Sequence, residues 1–163
     1  LGVIIGPRAG GLPLRDIPLD EAFSCVLGYV NANDVSARWW QKEGSGGQFN
    51  RGKSFDTFCP IGPHVVPASM VRDPQGLRIV CRVNGEKMQD STTADMIFSV
   101  ATLIHELSKG TTLMPGTLFV TGTPSGVGMA RTPQVFLKSG DVVEVSVGEA
   151  SLFGVLSNTV RVE

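Results

Sequence analysis

The sequence predicts a β-rich domain of the mixed α+β class, built from several short strands and one or two short helices. Of its 163 residues, 20 are glycine and 10 are proline, a proportion typical of chains with many turns. The dipeptide Asn84-Gly85 lies between residues 77–83 and 86–90, both predicted as strands, which is a strong local signal for a β-hairpin. One stretch, residues 99–108, carries apolar side chains at helical spacing and is followed by Gly110, a residue type favoured after helix ends.

Strands account for most of the predicted elements, because short apolar and β-branched segments recur between turns that contain glycine or proline. The predicted strands cover residues 1–5, 26–33, 77–83, 86–90, 117–121, 142–147, 152–156 and 159–162. Residues 60–74 contain four prolines and are expected to run extended with turns. Short helical segments are predicted over residues 19–24 and 36–43, in addition to residues 99–108.

Length and composition indicate one globular domain without a nucleic-acid or membrane partner. A chain of 163 residues, 42% of them hydrophobic, is large enough to bury a core. The net charge of −1, without a basic stripe, argues against nucleic acid, and no apolar run reaches the roughly 18 residues of a membrane span. Three cysteines without a C-x-x-C motif suit reduced thiols in the cytoplasm, with mitochondria as the alternative location. Because Leu1 opens an apolar, strand-like run, we expect residues 1–163 to be a single domain that lacks its N-terminal segment.

Three separated stretches carry residue types suited to binding a metal ion together with a small organic anion. Asp34 follows a predicted strand, and Lys53 lies nineteen residues later on a glycine-flanked turn. Carboxylates are ligands for Mg²⁺, while an ammonium group can meet a carboxylate or an enolate oxygen. Downstream, residues 121–128 bring Gly122 and the Thr123 hydroxyl onto a loop whose backbone can approach a ligand closely. If the three stretches converge, they predict an enzyme site for a chelating keto acid.

Each of these residues also has a plain structural interpretation. Asp34 suits the N-cap of a helix that starts near Ser36, and Lys53 is by default a surface lysine. Arg38 follows Asp34 at i, i+4 and is expected to pair with it. Gln41 is about two helical turns beyond Asp34, so it could face the same way and position substrate or a water molecule. The downstream loop is otherwise a proline-containing turn between strands.

Four motifs occur in series along the chain. They are Asn33-Asp-Val-Ser-Ala-Arg38 with Gln41, Gly52-Lys-Ser-Phe-Asp-Thr-Phe-Cys-Pro60, Val83-Asn-Gly-Glu86 with Gln89, and Thr121-Gly-Thr-Pro-Ser-Gly-Val-Gly128. In order and spacing, and over nearly the whole chain, they resemble the fumarylacetoacetate hydrolase family. The branch they resemble includes acylpyruvate hydrolases, oxaloacetate decarboxylases and isomerases of the homoprotocatechuate pathway.

The resemblance implies a β-roll of twisted sheets, a homodimer and one divalent cation, commonly Mg²⁺ with Mn²⁺ or Ca²⁺ as alternatives. In that family three carboxylates hold the cation, and the last of them corresponds to Asp34. The other two form a Glu-x-Glu pair that belongs immediately before Leu1, outside this sequence. The family's catalytic His/Glu pair, on an N-terminal lid, also falls outside it.

We therefore expect a divalent-metal-dependent C–C bond hydrolase or decarboxylase. Its substrates would be small 2-oxo or 1,3-dicarbonyl acids such as an acylpyruvate, a fumarylacetoacetate-like acid or oxaloacetate. In this interpretation Asp34 binds the metal, Lys53 and Gln41 are catalytic, and substrate is bound by Thr123, Gly122, Lys53 and Gln41. One alternative is a non-catalytic dimeric family member or fragment that binds a small acid. Another is a keto–enol isomerase of aromatic-compound catabolism.

Overall fold

The computed structural model describes residues 1–161 of the chain. Within this range, eight strands form two four-stranded antiparallel sheets, which confirms the predicted β-rich α+β class. The strands are β1 Gly2–Ile5, β2 Val26–Ala32, β3 Ile61–Pro67, β4 Arg78–Val83, β5 Glu86–Thr92, β6 Leu118–Val120, β7 Val142–Val147 and β8 Leu156–Thr159. The α-helices are α1 Arg38–Gln41, α2 Val100–Ser108 and α3 Ala150–Phe153. Short 3₁₀ helices connect several elements, and the one over Leu19–Cys25 lies where a helical segment was predicted at 19–24.

The order of strands in the first sheet is β3-β2-β1-β6, and this order positions the candidate site. Gly2 of β1 lies opposite Val30 of β2 on one side and Val120 of β6 on the other. Because β1 is antiparallel to both neighbours, β2 and β6 run in the same direction and end at one edge, beside Leu1. The Thr121 amide donates a hydrogen bond of 3.0 Å to the Leu1 carbonyl at this edge. The segments that follow β2 and β6 therefore leave the sheet together.

The second sheet has the order β5-β4-β7-β8 and contains the predicted hairpin. Asn84 and Gly85 join β4 to β5 with φ of 52° and 81°, the left-handed conformation that a two-residue type I′ turn requires. β7 matches its predicted bounds, and its side chains alternate between buried and half-buried positions as expected for one covered face.

The main core lies between the two sheets and helix α2. Val3 and Ile5 of β1, Ile104 of α2 and Val147 of β7 are fully buried there. Ser99 caps α2, since its hydroxyl accepts a hydrogen bond of 3.1 Å from the Thr102 amide. The predicted helix at residues 99–108 is thus confirmed, and burial of its apolar face stabilises it.

Two predictions near the C-terminus and one near α1 differ from the structure. Residues 152–156 were expected to form a strand, but the helical turn α3 occupies Ala150–Phe153 and β8 begins only at Leu156. Gly154 ends α3 with φ 68°. The apolar residues of this segment therefore form a helical turn that buries Phe153 in the core, and they do not form a strand. The strand expected at 159–162 is replaced by the end of β8 at Thr159, and Val162 lies outside the described residues. The helix expected over 36–43 is only the single turn α1.

Helix α2 is nine residues long. Along the part of the chain that the structure describes, no helix combines the length and apolarity needed to cross a bilayer.

Candidate functional site

Asp34 and Lys53 are in direct contact. The Lys53 Nζ lies 2.6 Å from the Asp34 Oδ2 and donates a second hydrogen bond, of 3.0 Å, to the Ser36 hydroxyl. The Lys53 and Asp34 side chains are 28% and 33% exposed, so solvent and small ions can reach them. The structure thus brings a carboxylate and an ammonium group from two separate motifs to one place at the edge of the first sheet.

Local backbone geometry explains this contact. After β2 ends, the Asn33 amide bonds the Pro60 carbonyl at 2.9 Å, and the chain turns outward to present Asp34. Lys53 is the last residue of a 3₁₀ turn, Phe49–Lys53, and the Gly52 carbonyl before it accepts a 2.8 Å bond from the Ala37 amide. A Cβ at Gly52 would come within 2.8 Å of the Ala37 carbonyl oxygen, so glycine is needed for the two segments to meet.

Gln41 packs against the same turn. It is buried, with 4% of its surface exposed, and its Cγ would lie 2.4 Å from a Cβ placed on Gly52. Its Oε1 accepts a 2.8 Å bond from Arg38, whereas its Nε2 is buried without a hydrogen-bond partner among the described residues. A buried amide donor without a partner is costly in a folded protein, so this N–H group calls for a partner such as an ordered water molecule or a bound ligand.

Two structural interpretations of this segment are wrong. Asp34 does not cap a helix, because the N-cap of α1 is Ala37 and makes no side-chain capping bond. Arg38 does not pair with Asp34, because α1 begins only at Arg38. Asp34 lies outside the helix, so the two side chains are not on adjacent helical turns. Arg38 bonds Gln41 instead, and Lys53 takes the place expected for Arg38. The proposed alignment of Gln41 with Asp34 along two helical turns fails for the same reason.

Aromatic contacts hold the segment that carries Lys53. The Arg51 guanidinium lies 4.2 Å from the centre of the Phe55 ring and 5.3 Å from that of Trp40. Trp40 in turn contacts Trp39 edge-on at 4.9 Å between ring centres. These contacts pack α1 against the segment that carries Lys53.

Cys59 also belongs to this neighbourhood, which sequence reasoning missed. Burial raises the pKa of its thiol above the ordinary value, the charge of Asp34 raises it further, and the Lys53 ammonium opposes both. The thiol is therefore kept protonated and weakly nucleophilic at neutral pH. Its proximity to Asp34 carried no signal in the sequence beyond the position of Cys59 inside the second motif.

Thr123 lies on the loop that follows β6. Gly122 before it has φ 98°, a conformation favoured by glycine, and the Thr123 side chain is exposed. The Thr123 hydroxyl oxygen accepts a 2.8 Å hydrogen bond from Gln89 Nε2. The loop borders a cavity of about 520 Å³ that is also lined by Ile97 and Phe98. Asp34, Lys53 and Gln41 do not line that cavity, and the hydrogen bonds of the Lys53 and Gln41 side chains go to residues other than 121–128.

The described residues supply one carboxylate suited to a divalent cation. The carboxylate oxygens of Asp34 are suitable ligands for Mg²⁺ or Mn²⁺. In this structure the carboxylate forms an ion pair with the Lys53 ammonium. Across residues 1–161, however, no three His, Cys, Asp or Glu side chains are grouped closely enough to hold a metal ion. The described residues therefore supply one carboxylate position of a metal shell.

Comparison with known proteins gives consistent matches over the whole described range. A family model described as fumarylacetoacetate (FAA) hydrolase C-terminal matches residues 1–161. A mitochondrial oxaloacetate tautomerase of Xenopus laevis is 46% identical over 160 residues, which is 98% of this chain and 48% of that protein. The chain thus spans about half the length of this curated relative.

Two solved structures share the fold. A fumarylacetoacetate hydrolase from the psychrophile Exiguobacterium antarcticum matches with a TM-score of 0.88 at 41% identity, covering 99% of this chain and 55% of that one. A fumarylpyruvate hydrolase from Pseudomonas aeruginosa, solved in complex with Mn²⁺ and pyruvate, matches with a TM-score of 0.82 at 35% identity. That match covers 99% of this chain and 64% of the other.

Proposed function

Since this chain belongs to the fumarylacetoacetate hydrolase family, we propose that the protein is a divalent-metal-dependent enzyme acting on a small 2-oxo acid through its enol form. The observation that carries the proposal is the contact of the Lys53 ammonium with the Asp34 carboxylate at 2.6 Å. A cation and a carboxylate thus lie together at the sheet edge from which the loop of Thr123 also emerges. A 2-oxo acid carries a carboxylate and a keto oxygen that match these groups.

The divalent cation would be Mg²⁺ or Mn²⁺, with Asp34 as one ligand and carboxylates from outside residues 1–161 as others. When bound, it would polarise the keto oxygen and favour the enol form. The Mn²⁺ and pyruvate in the Pseudomonas aeruginosa fumarylpyruvate hydrolase support this choice of metal and ligand class.

The side chains of this chain would bind and orient the anion. The Lys53 ammonium would stabilise negative charge on an enolate or carboxylate oxygen. Gln41 would donate its unpartnered Nε2 hydrogen to substrate or to an ordered water. The Thr123 hydroxyl and the Gly122 backbone would hold the substrate carboxylate at the far side. Lys53 and Gln41 are the proposed catalytic residues, because they would touch the reacting oxygen.

Keto–enol tautomerisation of oxaloacetate is the reaction that we propose first. It transfers one proton between carbon and oxygen and needs no attacking water, so it demands the fewest groups. The name of the Xenopus laevis relative supports it. Hydrolysis of an acylpyruvate-type C–C bond is the second candidate, supported by the name of the fumarylpyruvate hydrolase. Hydrolysis would need a base to activate water, supplied from outside residues 1–161.

The experiment is an assay of the intact natural protein with three readouts. Enol loss from oxaloacetate is followed by ultraviolet absorbance, carbon dioxide release is measured in parallel, and pyruvate release is measured from an acylpyruvate. We expect the first to be accelerated, to stop when a chelator removes the metal, and to return with Mg²⁺ or Mn²⁺. Full activity in the chelator would contradict the metal role, and absence of all three activities would favour a non-catalytic acid-binding protein.

We also propose that residues 1–163 are one catalytic domain of a longer chain that assembles as a homodimer. The coverage of 48% of the Xenopus laevis relative supports the longer chain. Light scattering of the intact protein tests the dimer. The name of that relative makes mitochondria a candidate location beside the cytoplasm, which microscopy of the tagged intact protein would distinguish.

A further inference from the structure

Strand β5 and the loop at residues 121–128 belong to different parts of the fold, yet side chains join them. Gln89, on β5, donates from Nε2 to the Thr123 hydroxyl oxygen and to the Pro124 carbonyl oxygen, both at 2.8 Å. Arg131 bonds the Met88 carbonyl at 2.7 Å and the Gly126 carbonyl at 3.2 Å. Gln89 belongs to the third sequence motif, and the proposed function gives it no role.

The chemistry of the two acceptors fixes the orientation of the Gln89 amide. A backbone carbonyl can only accept hydrogen bonds, so the Gln89 atom that faces Pro124 must be the nitrogen. That nitrogen carries two hydrogens. One is used by Pro124, and the other is directed at the Thr123 hydroxyl oxygen.

This arrangement decides what Thr123 can offer a ligand. Its hydroxyl oxygen already accepts a hydrogen from Gln89, so its own hydrogen must point elsewhere. The Thr123 hydroxyl donates to no other group within the described part of the chain. We propose that Gln89 is a positioning residue that sets the Thr123 hydroxyl as a hydrogen-bond donor toward the substrate carboxylate. This inference rests on the proposed function, in which Thr123 contacts that carboxylate.

A β-bulge next to Gln89 helps to orient its side chain toward Thr123. Gln89 pairs with Cys81 while Lys87 pairs with Arg82, so Met88 is the extra residue of a β-bulge. Bulges redirect side chains on the strand that carries them. The loop packs tightly on the bulge, because a Cβ at Gly126 would lie only 2.1 Å from the Met88 carbonyl oxygen. Arg131 donates hydrogen bonds to the Met88 carbonyl on the bulge and to the Gly126 carbonyl on the loop. These bonds hold the loop against β5, where Gln89 faces Thr123.

A double-mutant cycle tests the inference in the intact natural protein, with oxalate as the probe and saturating Mg²⁺ in calorimetry. Thr123→Val should weaken oxalate binding about tenfold or more, and Gln89→Ala should weaken it about tenfold. In the Thr123→Val background, Gln89→Ala should cost nothing further, because it acts through that hydroxyl. An equal loss in both backgrounds, or no loss in either, would overturn the inference.

Gln89→Glu is a second variant with nearly the same shape. Its carboxylate accepts a hydrogen bond, so it would turn the Thr123 hydroxyl away from the ligand. We expect weaker oxalate binding than in Gln89→Ala, with recovery as pH falls and the introduced carboxyl group becomes protonated. The recovery should vanish in the Thr123→Val background. Recovery of the same size without the hydroxyl would mean simple charge repulsion and would contradict the inference.

Two controls separate the possible failures. Gln134→Ala removes a glutamine amide that bonds the Met129 carbonyl at 2.9 Å, and it should leave oxalate affinity unchanged. Thermal unfolding identifies variants that fail to fold. If Thr123→Val leaves the affinity unchanged, the substrate contact in the proposed function is wrong. If Thr123→Val weakens binding and Gln89→Ala does not, only the role of Gln89 is wrong.

Discussion

The two halves of the candidate site leave the same sheet edge but are held in opposite ways. After β2, a carboxylate and an ammonium group pair at 2.6 Å, each about one-third exposed. After β6, the Thr123 hydroxyl is bonded at 2.8 Å by a neutral amide, and residues 121–128 contain no charged side chain. One half consists of an ion pair, whereas the other is uncharged and is hydrogen-bonded to β5 of the second sheet.

This difference separates two tasks. In the charged half, Lys53 and Asp34 form an ion pair. When a metal ion binds Asp34 and an anion binds Lys53, this ion pair must be weakened or broken. In the neutral half, the Thr123 hydroxyl accepts a hydrogen bond from Gln89, and its own hydrogen is donated to no group among the described residues. We therefore expect changes in the charged half to act mainly on rate and changes in the neutral half to act mainly on affinity or stability.

The largest expected effect is that of Lys53→Ala on turnover of oxaloacetate. Loss of a group that stabilises a developing oxyanion typically lowers kcat by about 10²- to 10³-fold. Steady-state kinetics of the intact protein measure it. Lys42→Ala is the matched control, since Lys42 is exposed on the same segment and should be replaceable without loss. A Lys53→Ala protein that folds and keeps its kcat would place the chemistry elsewhere.

Gly126→Ala is expected to destabilise the protein strongly. Gly126 has φ 105°, and a Cβ there would lie 2.1 Å from the Met88 carbonyl oxygen, so the variant suffers both backbone strain and a clash. We expect a loss of about 3 kcal/mol in the free energy of unfolding, measured by urea denaturation.

Gly140→Ala is the matched control, because it introduces backbone strain without a steric clash. Gly140 has φ 93°, but no atom lies within 4 Å of the position that a Cβ would occupy, so only the backbone cost of about 1 kcal/mol applies. If the two variants lose equal stability, the loop does not pack on the bulge of β5 as tightly as described.

Thr123→Val should act on affinity with a smaller effect on rate. Removing a donor to a charged ligand group costs about 1.5 to 3 kcal/mol, so oxalate binding should weaken at least tenfold. Thr121→Val is the control, because the Thr121 hydroxyl donates to the Leu1 carbonyl at 3.2 Å and the proposed function gives it no ligand contact. Equal weakening by the two variants would indicate a general disturbance of the loop.

The smallest expected effect concerns Cys59 in the metal-free protein. Burial raises the pKa of the Cys59 thiol and the charge of Asp34 raises it further, so Asp34→Asn should lower that pKa and increase the thiolate fraction at fixed pH. Alkylation of Cys59, measured by mass spectrometry of its peptide, should become about two- to threefold faster. Asp56→Asn, at an exposed carboxylate three residues away, should change it less. A slower reaction in Asp34→Asn would contradict the described neighbourhood.

Local signals predicted much of the fold correctly. The Asn84-Gly85 turn, β7 and helix α2 depend on residues that are close in sequence, and their patterns were sufficient. The strand expected at 152–156 was wrong, because an apolar run does not distinguish a strand from a buried turn, and Phe153 is buried in a turn. The family was identified correctly, since four ordered motifs constrain the chain far more than any single element.

The site was harder to predict, because its contacts depend on register and on where elements begin. The helix was expected from Ser36, and this error produced the wrong partner for Arg38. The bond from Gln89 to Thr123 joins residues 34 positions apart on elements whose relative placement no local pattern encodes. The roles of Asp34, Lys53, Gln41, Gly122 and Thr123 in binding and catalysis stay predictions.

A crystal structure of the intact natural protein with Mn²⁺ and oxalate would test most directly whether both halves serve one ligand. We expect anomalous density for Mn²⁺ at about 2.1 Å from an Asp34 carboxylate oxygen, as typical for hard divalent ions. One oxalate should accept hydrogen bonds of about 3 Å from both Lys53 and Thr123. Oxalate bound at a place remote from either side chain, or Mn²⁺ bound without Asp34, would contradict the account.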